Sequence, residues 1–97
     1  MKEVEIKGAE AGKLTVALSG DIDSGNADEF YSDVISAYRQ NPADIVFDCA
    51  ELNFIDSTTL GTFVKILKNA KTDGHNIILR NLQQKIKKLF MICSLNT

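Results

Sequence analysis

The sequence predicts a single α/β domain, in which helices pack on a mixed sheet of four or more strands in the order β-β-α-β-α-β-α. Three observations support this fold. The chain has 97 residues, which is enough for one domain and too few for two. Apolar residues alternate with polar ones near the N-terminus, whereas three later segments place apolar residues three and four positions apart. Short apolar runs lie between those later segments, so strands and helices should alternate along the chain.

The first two strands are expected to form a hairpin. Apolar residues occupy every second position in two segments, which contain Val4 and Ile6 in the first and Leu14, Val16 and Leu18 in the second. Residues 10–13, Glu-Ala-Gly-Lys, lie between the two segments and are typical of a hairpin turn. We expect the second strand to end at Gly20.

The first helix is predicted from an apolar stripe with spacings of three and four, formed by Ala27, Phe30, Tyr31, Val34, Ile35 and Tyr38. Asn26 is expected to cap the start of this helix, and Glu29 to complete a capping box with it. The helix should end near Asn41, because the residue before Pro42 avoids the helical conformation.

The second half of the chain contains two short apolar runs, each followed by a helical pattern. Residues 45–47, Ile-Val-Phe, predict a strand covered on both faces, and residues 50–55 are expected to form a loop after it. The helix that follows should end at Asp73-Gly74, because glycine is favoured just past a helix end. Residues 76–80 predict another buried strand, after which Asn81 is expected to cap a third helix.

The apolar stripes of these last two helices consist of Leu60, Phe63, Val64, Leu67 and Ala70, and of Leu82, Ile86, Leu89, Phe90 and Cys93. Central positions of the stripes and strands should form the core, and we expect burial of Val34, Phe47, Phe63, Leu67, Ile78 and Leu89.

The composition gives no indication of nucleic-acid binding, of a membrane span or of disulfide bonds. The net charge is -2 and the pI about 5.3, which leaves no electrostatic footprint for nucleic acid. Cys49 and Cys93 have neither CxxC nor metal-ligand spacing, so both are expected to be reduced, buried thiols. The N-terminus lacks the apolar run of a signal peptide, and no apolar stretch reaches the roughly 18 residues of a membrane span. We therefore expect a cytoplasmic protein with no membrane span.

Motifs of catalysis and cofactor binding are missing from the sequence. His75 is the only histidine and follows Asp73-Gly74, so it is expected to be a solvated turn residue. Neither glycine-rich phosphate loops nor a G-x-S-x-G elbow occurs. The basic run formed by Lys85, Lys87 and Lys88 is expected to face solvent rather than bind phosphate or lipid. The chain is therefore predicted not to be an enzyme and to need no cofactor or metal.

The most informative segment is residues 55–61, Ile-Asp-Ser-Thr-Thr-Leu-Gly, between a predicted strand and a helix. Asp56 or Ser57 can cap the helix, but three consecutive hydroxyls after an aspartate exceed that need. A phosphate attached here would meet the positive helix end, so the modified domain should stay folded. Asp21 and Asp23 follow a strand at its carboxyl end, where α/β sheets place their sites. Loop hydrogen bonding and partner contact account for these two acids equally well.

Three segments resemble STAS domains, in particular bacterial anti-sigma factor antagonists. Residues 54–61, FIDSTTLG, resemble the D-S-S-G-L-G signature of that family. Residues 18–23, LSGDID, followed by Ala27, are similar to the family's L-x-G-E-L-D and its following alanine. Residues 87–95 are similar to the V-K-R-L-F…G-L segment of the third helix. Because these matches span the chain in the family's order, residues 1–97 are interpreted as one STAS domain.

The resemblance implies a phosphorylation switch. In that family the serine directly after the aspartate is phosphorylated by a partner that is both anti-sigma factor and serine kinase. The acceptor would be Ser57, and Asp56 would orient it; the implied partner-binding residues are Asp21, Asp23, Asp56, Ser57, Thr58, Thr59 and Gly61. Unmodified antagonist would bind the anti-sigma factor and free sigma for transcription. The phosphorylated form would be released until a serine phosphatase restored it.

Two departures from the family pattern concern Thr59 and the C-terminus. Thr59 stands where the family usually has glycine, and its β-branched side chain is expected at a point of close partner approach. The family continues with a further strand and a C-terminal helix, so we expect a truncated or short variant with an open sheet edge. An alternative function is a STAS module that binds a small ligand or belongs to a lipid- or anion-transport complex. The serine favours the antagonist, whereas Thr59 leaves room for the alternative.

Overall fold

The predicted architecture is confirmed by a computed structural model that describes residues 2–92, without the side chains of Met91 and Ile92. The elements are β1 (Val4–Glu10), β2 (Lys13–Ile22), α1 (Ala27–Gln40), β3 (Asp44–Ile55), α2 (Ser57–Thr72), β4 (Ile77–Arg80) and α3 (Gln84–Ile92). In the described part of the chain the strands form one sheet in the order β1-β2-β3-β4. β1 is antiparallel to β2, and the other two pairings are parallel, so the sheet is mixed.

The N-terminal hairpin turns through two residues with positive φ, Ala11 at 56° and Gly12 at 75°. Two such residues in succession match the right-handed twist of the flanking strands, which confirms the predicted turn. The prediction that β2 ends at Gly20 is wrong. Gly20 has a φ of 66°, yet β2 continues to Ile22, which pairs with Ile55 at the carboxyl end of β3.

The predicted loop over residues 50–55 is also wrong, because these residues belong to β3. Ala17 pairs with Asp48, and Ser19 pairs with Glu51. Between these two pairs β2 advances by two residues but β3 by three, so β3 contains one extra residue. A second extra residue follows, because β2 moves one position from Gly20 while β3 moves from Leu52 to Phe54. These two β-bulges interrupt the alternation of buried and exposed positions, so the segment lacks the pattern of a regular strand.

One apolar core lies between the helices and one face of the sheet. Its centre is an aromatic cluster in which the Phe63 ring meets those of Phe30 and Phe47 edge-on, at 5.2 Å each, and that of Phe90 at 5.1 Å. Of the predicted core residues, Val34, Phe47 and Phe63 are buried as expected, whereas Leu67 and Leu89 are only half-buried.

The predicted burial of Ile78 is wrong, because its side chain is 36% exposed. Ile78 follows Ile77, which is buried and pairs with Ile45 in the core. Since successive strand residues point to opposite faces, Ile78 faces away from the core. β1 and β4 form the edges of the described sheet, and pairing of an edge with a neighbouring molecule stays a prediction.

Both asparagines that were expected to cap helices bond elsewhere. Asn26 precedes α1, but its side chain makes no cap bond: it accepts from the Asp23 N–H at 2.8 Å and donates to the Asp21 carbonyl at 3.0 Å. The capping box with Glu29 therefore does not form. Asn81 has a φ of 61°, and its amide donates to Asp48 Oδ1 at 3.2 Å, three residues before α3 begins. Asp48 accepts a second hydrogen bond, from the Ala50 N–H. Because both bonds stabilise the ionised carboxylate, the pKa of Asp48 lies below its usual value.

The predicted helix ends are confirmed. The Asn41 N–H donates to the carbonyls of Ala37 and Tyr38, and α1 ends at Gln40, immediately before it. After α2 the Gly74 N–H donates to the Lys71 carbonyl with a φ of 80°, a conformation that glycine adopts without strain.

A hydrogen-bonded cluster joins α1 to the turn that follows the C-terminal end of α2. The Tyr38 hydroxyl donates to Asp73 Oδ2 at 2.7 Å and lies 3.0 Å from His75 Nδ1. His75 is thus half-buried against Tyr38, and the prediction of a solvated turn histidine is wrong. Burial, the hydrogen bond to Asp73 and the charges of Asp73 and Asp44 raise the pKa of Tyr38 to about 12.

The two cysteines are only partly covered by the structure. Cys49 is buried and unpaired as predicted, and burial raises the pKa of its thiol to about 12. The prediction for Cys93 lies outside the described residues.

Across residues 2–92 no helix combines the length and apolar character that a membrane crossing requires. That same part of the chain holds no cluster of three or more side chains suited to a metal ion.

Candidate functional site

The candidate site is built on the start of α2, where Asp56 forms the N-cap. Asp56 has an extended backbone, with a φ of -116°, and its Oδ1 accepts from the Thr59 N–H at 2.9 Å. An aspartate here satisfies one of the free N–H groups of the first helical turn. The other oxygen, Oδ2, accepts from the Ser24 N–H at 3.0 Å. One carboxylate therefore joins the helix start to the loop after β2, which is 32 residues earlier in the chain.

These hydrogen bonds favour the ionised form of Asp56. The pKa of its carboxyl lies below the usual value, chiefly because the Thr59 N–H donates to it and additionally because the Ser24 N–H does. Asp56 therefore carries a full negative charge at neutral pH beside the positive end of the α2 dipole. The predicted choice between Asp56 and Ser57 as the cap is thus resolved in favour of Asp56.

Because Asp56 provides the cap, the Ser57 side chain is not needed for capping. Ser57 is the first residue of α2, directly after the cap, and its side chain is exposed. Thr58 beside it is exposed as well. Gly61 lies four residues after Ser57 and so on the same face of the helix, where it too is exposed. A Cβ at Gly61 would have no other atom packed against it within 4 Å, so this part of the face is open.

Thr59 differs from its neighbours because it points inward. Its side chain is 0% exposed, and its hydroxyl donates to the Ile22 carbonyl at 2.6 Å. The same hydroxyl lies 3.0 Å from Asp56 Oδ1. The expectation that Thr59 presents a β-branched side chain to a partner is therefore wrong. Thr59 supports the site from beneath, by joining the end of β2 to the first turn of α2.

The two loop acids after β2 have different surroundings. Asp23 Oδ1 accepts from the Gly25 N–H at 2.9 Å, and the Asp23 carbonyl accepts from Ala27 N at 2.8 Å, so this residue shapes the turn into α1. A Cβ at Gly25 would lie 3.2 Å from Asp23 Oδ1, so a larger residue there would displace this carboxylate slightly. Asp21 is exposed, and its Oδ1 accepts from the Asn53 amide at 3.3 Å. Loop hydrogen bonding thus accounts for Asp23, whereas Asp21 faces outward.

A polar chain that sequence reasoning missed links this edge to the third helix. Asn53, in the second bulge of β3, donates to Asp21 and accepts from Lys85 Nζ at 3.1 Å. Gln83 adds a second link, because its amide donates to the Leu52 carbonyl at 2.9 Å. The partners are more than 30 residues apart, and no local pattern signals such contacts. Lys85 was predicted only as part of a solvated basic run.

The predicted site residues thus come together at one edge of the domain. Asp21, Asp56, Ser57 and Thr58 lie at the carboxyl ends of β2 and β3 and the start of α2, with Gly61 one turn further along. Such an edge is where α/β domains place their binding sites. A small α/β domain that presents an exposed serine beside a helix cap is suited to protein binding controlled by modification.

The chain belongs to the STAS domain family, which matches it over residues 3–97. The anti-sigma-B factor antagonist of Bacillus subtilis (strain 168) is 30% identical over 82 residues, or 84% of this chain and 74% of that protein. The anti-sigma-B factor antagonist of Listeria monocytogenes is 26% identical over 94 residues, or 96% of this chain and 82% of that protein. Both relatives carry the name of a regulatory protein.

A solved structure with the same fold is that of the Bacillus cell fate determinant SpoIIAA in the phosphorylated form. It superposes with a TM-score of 0.77 and 18% identity, over 95% of this chain and 84% of that one. At that identity the likeness establishes the fold and nothing further. The fold and the curated relatives agree with the resemblance that the sequence motifs indicated.

Proposed function

We propose that this chain is an anti-sigma factor antagonist that binds an anti-sigma factor when Ser57 is unmodified and is released when Ser57 is phosphorylated. The observation that carries the proposal is the exposed Ser57 at the first position of α2, directly after the Asp56 cap. The curated relatives named as anti-sigma-B factor antagonists support the role, and a solved protein with the same fold, SpoIIAA, occurs in a phosphorylated form. The proposed kinase is the anti-sigma factor itself, and a serine phosphatase would reverse the step.

Accessibility excludes one of the three adjacent hydroxyls, and position relative to the cap favours Ser57 over Thr58. The Thr59 hydroxyl is buried and donates to a backbone carbonyl, so a kinase cannot reach it in the folded protein. Thr58 is exposed but stands one position further from the cap. Ser57 stands nearest the free N–H groups of the helix, where phosphate oxygens find hydrogen-bond donors.

The release is an electrostatic and steric consequence of the added phosphate. Phosphorylation adds about 1.5 to 2 negative charges at pH 7, and the helix start tolerates them because it carries about half a positive charge. The partner must instead accommodate a dianion in a surface that fits an unmodified serine. At an effective dielectric near 20, one like charge about 5 Å away costs about 3 kcal/mol, which corresponds to more than a hundredfold in affinity.

In this role the chain catalyses no reaction itself, because phosphate transfer and removal belong to its partners. The proposal also implies a cytoplasmic location, because an antagonist acts where sigma factors meet RNA polymerase. Neither nucleic acid nor a membrane is a proposed partner.

The experiment that tests the proposal combines phosphosite mapping with titration calorimetry against the anti-sigma factor of the same organism. With ATP, phosphate should appear on Ser57, and Ser57→Ala should abolish labelling while Thr58→Ala, the matched control, retains it. Ser57→Ala should bind nearly as tightly as wild type, whereas Ser57→Asp should bind more weakly. Undiminished labelling of Ser57→Ala, or equal affinities for the Ala and Asp variants, would contradict the proposal.

A further inference from the structure

Phe54 is the most exposed large apolar side chain in the described part of the protein. Its side chain is 48% exposed, compared with 38% for Ile6 and 36% for Ile78. Ile6 and Ile78 lie on the two edge strands, whereas Phe54 lies near the end of β3, three residues before Ser57. Phe54 thus offers an aromatic contact surface close in sequence to the candidate acceptor Ser57.

The exposure of Phe54 is a consequence of the second bulge in β3. In a regular strand Phe54 would face the same side as Leu52, which is fully buried. The register instead inserts one extra residue between Leu52, opposite Gly20, and Phe54, opposite Asp21. Asn53 and Phe54 are therefore both exposed, and Ile55 returns to the core. Bulges near functional sites commonly redirect a side chain in this way.

The ring is framed by polar groups that already have partners. Asn53, its neighbour in the bulge, bonds both to Asp21 and to Lys85. Asp21 is also the residue directly opposite Phe54 on β2. These hydrogen bonds connect β2, the bulge in β3 and α3 beside Phe54. Aromatic side chains are enriched at the centre of protein interfaces, with polar groups at the rim.

From these observations, and resting on the antagonist function proposed above, we propose that Phe54 is the apolar anchor of the partner-binding surface. Its ring would enter an apolar pocket of the anti-sigma factor, and Asp21, Asn53 and Lys85 would form the rim. Most of the affinity would then come from an apolar contact that phosphorylation leaves intact. The phosphate would act at the margin of that contact, close to Ser57.

The main test is titration calorimetry of Phe54→Ala against the same anti-sigma factor. Ile78→Ala is the matched control, because it removes a similarly exposed apolar side chain from β4. We expect Phe54→Ala to weaken binding at least thirtyfold and Ile78→Ala to change it less than threefold. Affinity of Phe54→Ala within threefold of wild type, or equal losses for both variants, would overturn the anchor.

A second variant covers the case in which Phe54→Ala folds poorly. The chain contains no tryptophan, so Phe54→Trp labelled with 5-fluorotryptophan gives a single fluorine signal at the proposed anchor. Addition of the anti-sigma factor should shift that signal and reduce its exposure to solvent. A bound complex with an unchanged signal would overturn the proposal. The two proposals can be told apart by the wild-type protein. If wild type does not bind the anti-sigma factor, both proposals are wrong. If wild type binds and the Phe54 variants bind equally well, only the anchor is wrong.

Discussion

Replacement of Thr59 by valine tests whether the inward-pointing hydroxyl stabilises the site. Valine keeps the β-branched shape and nearly the same volume, so it removes the hydrogen-bonding hydroxyl and creates no large cavity. The Thr59 N–H remains and can still donate to Asp56, so the helix cap should persist. The change therefore removes the contacts of the Thr59 hydroxyl with the Ile22 carbonyl at 2.6 Å and with Asp56 Oδ1 at 3.0 Å.

The expected cost follows from the burial of both groups. Thr59 and Ile22 are each 0% exposed, so water cannot readily replace the lost donor. Loss of one partner of a buried hydrogen bond costs about 1–3 kcal/mol, because the remaining group loses its compensation for leaving water. We expect Thr59→Val to lower the free energy of unfolding by about 2 kcal/mol, a factor of about 30 in the folding equilibrium.

Urea denaturation measures this difference, and Thr58→Val is the matched control. Thr58 precedes Thr59 in the same helical turn, but its side chain is exposed, so the same substitution there should change stability by less than about 0.5 kcal/mol. The slope of the unfolding free energy with urea should be equal in all three proteins. A Thr59→Val protein within about 0.5 kcal/mol of wild type would refute the reasoning.

Two further predictions concern the core and the helix cap. Phe63→Ala should lower the free energy of unfolding by about 3–5 kcal/mol, because the ring is fully buried against three other phenylalanines; a loss below about 1 kcal/mol in urea melts would contradict this packing. The pKa of Asp56 is lowered in the folded state, so its contribution to stability should be complete above its unfolded pKa of about 3.9 and disappear as pH falls through the folded value. Melts from pH 6 to about 2 should therefore show a larger loss for wild type than for Asp56→Asn, and parallel curves would count against the cap.

Local signals in the sequence were sufficient to predict the element order and the position of the candidate site. The Asp56 cap and the position of Ser57 depend on neighbouring residues, and the resemblance to STAS domains identified the same segment. The ends of α1 and α2 were equally predictable, because Pro42 and Gly74 act on the backbone of their own segments.

The errors arose where a distant partner decides the conformation. Asn26 and Asn81 could each cap a helix by sequence, but their amides bond to groups that the fold brings near. The bulges in β3 depend on its register with β2. Their effect is visible in the spacing of the buried residues Cys49, Leu52 and Ile55, which lie three positions apart. The inward orientation of Thr59 likewise depends on the Ile22 carbonyl, 37 residues away.

The link between Asp56 and the Ser24 N–H, 32 residues apart, has a consequence for how a signal would be transmitted. Because the site is assembled from separate parts of the chain, a short peptide that contains Ser57 lacks the geometry of the folded site. An unfolded molecule would then be neither a good kinase substrate nor an effective competitor for the anti-sigma factor. Under the proposed function, only chain that is both folded and unphosphorylated would act as antagonist in a cell. Heat or mutation that unfolds this small domain would therefore reduce the output of the switch without any change in phosphorylation.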